Sequence, residues 1–224
     1  MNTLCLKLIR LSATCVLVAA PLYAGDAIIR FDSQPGSKVR IEGTSSVHDW
    51  QVEGKLIGGF LEAGTGFPVE PGQAVSPGKV EAKAEAFIPV RSLKSIEKDG
   101  RPYSDSMDDI MHGKLLQAEN PRILYRLNEM TLKESPKSPD APYVFDAKGD
   151  LVVAGMTNKI SMPVNVTPLG SKKLKITGAT TVKMTDFGIK PPAPALGLGL
   201  IKTGDDVKLN FEWMVGQKGA AGAK

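Results

Sequence analysis

Within Gly43-Thr44-Ser45-Ser46-Val47-His48-Asp49-Trp50, hydroxyls, an imidazole and a carboxylate crowd together. These are the parts of a nucleophilic hydrolase, in which a base takes the hydroxyl proton and a carboxylate orients the base. The spacing argues against that use. Along an extended strand successive side chains point to opposite faces, so His48 and Asp49 do not pair, although Ser46 and His48 share a face. A Ser-x-His step recurs by chance, and no G-x-S-x-G elbow, H-E-x-x-H pair or phosphate loop accompanies it. No catalytic residue is therefore assigned, and a hydrolase using His48 is kept only as the weaker alternative. The bland role for His48, Thr44 and Ser45 is hydrogen bonding in a wall or its rim, with His48 also a candidate contact for a ligand head group.

Metal chemistry has less support. Once Cys5 and Cys15 are set aside with the leader described below, the possible nitrogen and sulfur ligands reduce to His48, His112 and methionines at no telling spacing. Asp105, Asp108 and Asp109 stand at a helix start, where negative charge suits the helix dipole better than a calcium loop. No metal and no cofactor is expected. Asp186, in Met184-Thr185-Asp186-Phe187, reads as the anchor of a turn.

The elements that carry these residues begin after a leader. Lys7 and Arg10 precede an apolar run from Leu11 to Ala20, and Leu22-Tyr23-Ala24 offers small-residue cleavage, so residues 1–24 read as a secretory signal and the protein as periplasmic. Both cysteines leave with it. The 224-residue chain has 28 basic and 24 acidic residues; without Lys7 and Arg10 its net charge is +2, too small and too interleaved for nucleic-acid binding. No later apolar run reaches the length of a membrane span. One domain is expected over residues 25–216, with 217–224 a flexible tail; a homodimer is compatible with the sequence.

Period-two alternation fills that domain. Val80, Ala82, Ala84, Ala86, Ile88 and Val90 form one strand face, as do Leu174, Ile176, Gly178, Thr180, Val182 and Met184, and Val207, Leu209, Phe211, Trp213 and Val215. Leu151 and Val153 turn through Gly155-Met156-Thr157-Asn158 into Ile160, Met162, Val164 and Val166. With residues 27–31, 39–41, 47–60 and 123–130 these predict an all-β, antiparallel barrel or sandwich of about eight strands. Met107, Ile110, Met111 and Leu115 recur at helical spacing behind Ser104 or Asp105 and stop at Asn120-Pro121, which predicts one short amphipathic helix across a barrel end. Residues 63–77, rich in Gly and Pro, read as a solvated insertion, and the apolar run 191–200 as a cover over the core or a pocket mouth. The alanine face and Gly178 either leave a cavity or let the helix approach closely.

Six segments in order resemble the YceI-like family: the 43–50 run, Ile88-Pro89-Val90-Arg91-Ser92-Leu93-Lys94-Ser95, Met107-Asp108-Asp109-Ile110-Met111, Asn120-Pro121-Arg122-Ile123, Gly149-Asp150-Leu151-Val152-Val153-Ala154-Gly155-Met156-Thr157 and Met184-Thr185-Asp186-Phe187-Gly188-Ile189-Lys190-Pro191-Pro192. The resemblance implies a lipocalin-like antiparallel barrel and an exported binding protein. Its ligand would be a polyisoprenoid, an isoprenoid quinone or a fatty-acid-like chain in an elongated apolar tunnel. The insertion at 63–78 and the run at 195–199 depart from the commoner pattern. On that basis Trp50, Phe60, Phe87, Met107, Ile110, Met111, Tyr125, Phe187, Ile189 and Leu196 are expected to line the pocket, against ordinary core packing for each. The alternative to a binding protein is a structural, stress-related barrel with a filled core.

Overall fold

Alternating side chains force a sheet to bury one face, and a sheet that twists far enough closes on itself. In the computed structural model, which describes residues 28–64, 66–193 and 201–217, the strands do this. They are β1 (Ile29–Ser33), β2 (Lys38–Ser45), β3 (Trp50–Gly54), β4 (Gly58–Ala63), β5 (Gly78–Val80), β6 (Ala82–Pro89), β7 (Lys94–Ile96), β8 (Arg122–Glu134), β9 (Tyr143–Val153), β10 (Met156–Pro168), β11 (Lys173–Lys183) and β12 (Thr203–Gln217). Every pairing is antiparallel, and the circuit β1-β4-β6-β8-β9-β10-β11-β12 closes through β1 and β12 into an eight-stranded barrel. A single α-helix, α1 (Asp105–Lys114), is present among the described residues.

The wall is not uniform along its height. β12 pairs with β1 at one end and with β2 at the other, and β2-β3-β7 continues the upper wall as β1-β4-β6 builds the lower. The last pair between β6 and β8 is Pro89 with Arg122; above it β7 leans away, and its far edge meets residues 101–103 instead of β8. The predicted strand over 47–60 is therefore two strands, β3 and β4, and residues 46–49 form a turn ahead of them. The hairpin expected at 155–158 is tighter: Val153 pairs with Met156 across Ala154 and Gly155, both at positive φ (49° and 81°), as a type I′ turn requires.

The lower end is shut. Phe31, Leu132, Tyr143, Phe145, Val166, Leu174 and Val215 are almost fully buried there. The 63–77 segment is part of this plug rather than a solvated insertion: Phe67 is buried and stacks on Phe145 at 5.7 Å, and the Tyr143 hydroxyl donates to the Gln73 carbonyl at 2.6 Å. Burying Phe67 outweighs the low strand propensity of its Gly- and Pro-rich surroundings.

Candidate ligand-binding site

At the upper end the barrel encloses a chamber of about 660 Å³, and below it a smaller one of about 110 Å³. Three kinds of element line the upper chamber: inward strand positions such as Ile41, Val52, Val182 and Leu209, one face of α1, and the turn at 184–192. α1 supplies Met107, Ile110, Met111 and Leu115, the stripe read at helical spacing.

The helix is held in place by β7. Asp108 is buried, accepting the Ser95 amide at 2.6 Å on one carboxylate oxygen and meeting Lys94 Nζ at 3.0 Å with the other. Burial alone would raise its pKa; the hydrogen bonds from Ser95 and Lys94 overcome this and hold the carboxyl below its ordinary value. Ser95 Oγ donates to the Ser104 carbonyl, and His112 Nε2 donates to the Leu93 carbonyl at 3.0 Å. The carboxylate expected to serve the helix dipole thus also ties the helix to the wall.

Trp50 enters the chamber from β3, directly opposite Gly43 on β2. A β-carbon at Gly43 would overlap the indole ring, so the glycine makes room for the ring to lie across the wall. Phe211 covers Gly178 in the same way, and the ring of Tyr125 lies over Gly149. The space left by Gly178 is therefore filled by an aromatic. Ala84 and Ala86 instead border the smaller chamber; they create volume there and do not lie under α1.

Phe187 and Ile189 border the upper chamber from the turn after β11. That turn is anchored by Asp205, whose carboxylate accepts the Thr185 amide at 2.9 Å and the Thr185 hydroxyl at 2.6 Å; Asp186 contributes its backbone carbonyl, to Asn158. The Thr185 hydroxyl and amide bonds keep the Asp205 carboxyl below its ordinary value.

Of the aromatics expected in the pocket, Phe60 borders neither chamber and Phe87 borders only the smaller one. Phe60 is on the outer wall, with the Arg30 guanidinium 4.0 Å above its ring and Lys83 on it at 5.8 Å. Strand parity decides this, because Leu61 and Ala63 take the inward positions of β4. Phe87 borders the small chamber but its ring packs over outward-facing Gly58 and beneath Arg122, 4.4 Å away. Leu196 lies outside the described residues.

Tyr125 sits beside the smaller chamber with its hydroxyl buried and without a hydrogen-bond partner; burial, with the Asp150 charge, pushes the phenol up to about 12. It stays protonated and forfeits a hydrogen bond, so Tyr125→Phe is expected to raise stability by about 1 kcal/mol, read from the urea midpoint; a loss of stability would mean that the hydroxyl has a partner.

The rim is polar. His48 lies in the turn before β3: its Nδ1 donates to the Asp49 backbone carbonyl at 2.9 Å, and its Nε2 faces the Tyr103 hydroxyl at 3.4 Å. Ser45 Oγ donates to the His48 carbonyl and accepts the Val47 and His48 amides, while Ser46 Oγ accepts the Lys202 amide. The hydroxyls that looked nucleophilic thus shape the turn. Glu97, Lys98, Arg101 and Lys114 complete the rim, and no His/Asp/Glu cluster suited to a metal occurs among the described residues. Sequence reasoning missed the rim residues Tyr103 and Arg101, which carried no periodic signal.

The family model of the YceI-like domain matches residues 32–215. A crystal structure of Burkholderia cenocepacia BcnA superimposes with a TM-score of 0.54 at 16% identity, covering 80% of this chain and 95% of that one. A polyisoprenoid binding domain from Saccharophagus degradans, implicated in plant cell wall breakdown, superimposes with a TM-score of 0.57 at 11% identity, covering 86% of this chain and all of that one. No curated protein matches the sequence. At these identities the structural likeness speaks to the fold, while the match across nearly the whole barrel decides membership: the chain belongs to the YceI-like family.

Proposed function

We propose that this protein is an exported, non-enzymatic carrier or store that holds one long apolar chain, a polyisoprenoid, isoprenoid quinone or fatty-acid-like lipid, inside the barrel. The observation that carries the reading is the 660 Å³ chamber walled by hydrocarbon and rimmed by His48, Tyr103, Arg101 and Lys98. At about 25 cal/mol per Å² of apolar area, burying a few hundred Å² of chain supplies micromolar affinity after the cost of immobilisation. A charged or hydrogen-bonding head stays at the rim, where burial would be costly. The leader at 1–24 supports a periplasmic location, and membership of the YceI-like family supports the binding role. His48 has a backbone carbonyl rather than a carboxylate at Nδ1, which favours binding over hydrolysis.

The test is organic extraction and mass spectrometry of protein purified from its native periplasm. One stoichiometric lipid is the expected result, and an empty protein after gentle purification would favour a structural role for the barrel. His48→Ala should leave the tail bound while weakening retention of the head-bearing lipid several-fold; unchanged occupancy would remove His48 from the head-group site.

A further inference from the structure

Ile123, Leu151 and Leu209 border both chambers. Ile123 and Leu151 stand on the paired strands β8 and β9, whereas Leu209 stands on β12, four places round the eight-strand circuit from β8. Side chains from facing walls therefore stand between the chambers and mark a waist. Beyond it the smaller chamber offers almost nothing polar: the Tyr125 hydroxyl is buried, and the Trp213 indole donates to Ser33 Oγ at 2.8 Å. Below that the barrel is closed by the packed Phe67 and Phe145 layer.

We propose that the inner chamber measures the length of the bound chain. A hydrocarbon terminus passes the waist and stops in the 110 Å³ space, with the polar end at the rim. This rests on the lipid-binding reading above and adds a size limit to it. At about 30 Å³ per methylene-sized group, 660 Å³ takes about 22 non-hydrogen atoms and 110 Å³ about four more, which together correspond to about five isoprene units. The ligand class is therefore a prenyl or acyl chain of that length rather than a much longer polyprenol. Ala84 and Ala86 set the room beyond the waist: a leucine at either adds three carbons to a space that holds about four.

Delipidated full-length protein would be titrated with prenyl alcohols of three, four, five and six units in competition with a dansylated fatty acid. In the parent, each unit up to the fifth should tighten binding by about tenfold and the sixth by less than about twofold. Ala84→Leu should move the plateau to four units while three- and four-unit alcohols keep their affinity; Ala86→Leu serves if Ala84→Leu does not fold. Affinity rising undiminished to six units in the parent, or a plateau unmoved in the folded variants, overturns the ruler alone. No binding of any prenyl alcohol by the parent overturns the lipid-binding reading and the ruler with it.

Discussion

Asp108→Ala is expected to cost about 2–3 kcal/mol in denaturant unfolding, because it leaves the Ser95 amide without its acceptor in a buried place. The ion pair with Lys94 adds little, since the lysine end is largely solvated. Lipid affinity should fall as well, at least about tenfold by competition, because Met107, Ile110 and Met111 ride on the helix that Asp108 fixes. Lys94→Met is the control and should be mild in both respects. The pH dependence follows from the depressed pKa. The stabilisation is fully present above the ordinary value of 3.8 and disappears as pH falls through the lower, folded value. Parent protein should therefore lose stability relative to Asp108→Ala only below about pH 4, and a gap that closes near neutrality would contradict this.

Gly43→Ala should also be severe for so small a change. The added methyl meets the Trp50 ring, which must swing further into the chamber, with a cost of about 1–3 kcal/mol from overpacking. The displaced indole then occupies ligand volume, so a prenyl alcohol should bind at least about tenfold more weakly. A double-mutant cycle makes the claim specific. In a Trp50→Ala background, Gly43→Ala should cost almost nothing in stability, a coupling of about 1–3 kcal/mol between the two sites. Additive costs would show that Gly43 serves the backbone rather than the ring.

What could be read from the sequence was whatever repeats with a period. Alternation at 80–90, 174–184 and 207–215 located barrel strands, and the Met107, Ile110, Met111 and Leu115 stripe located the helix face that lines the chamber. Parity of isolated aromatics was not legible, because nothing local distinguishes Phe60, held outside by Arg30, from Trp50, held inside by Gly43. The dissociation of His48 from Asp49 was inferred from strand geometry; they lie in a turn, and the separation comes from the Asp49 backbone carbonyl taking the imidazole. Residues 63–77 misled because low propensity says nothing about a single phenylalanine, Phe67, finding Phe145, 78 residues further along the chain. Asp108 was visible as a charge in a helix, but its bond to Ser95 depends on a strand whose three residues carry no pattern of their own.

The departure of β7 from β8 has a mechanical meaning. A ring of strands laced by backbone bonds has a fixed circumference, since widening it breaks a whole ladder at once. Above Pro89 and Arg122 this collar has a seam bridged by a helix, a short loop and a handful of side-chain bonds. Parting it would break those few bonds and the one from the Val90 amide to the Pro121 carbonyl, rather than a whole ladder. Strain on the mouth is therefore expected to fall on that seam first, while the laced floor keeps its shape.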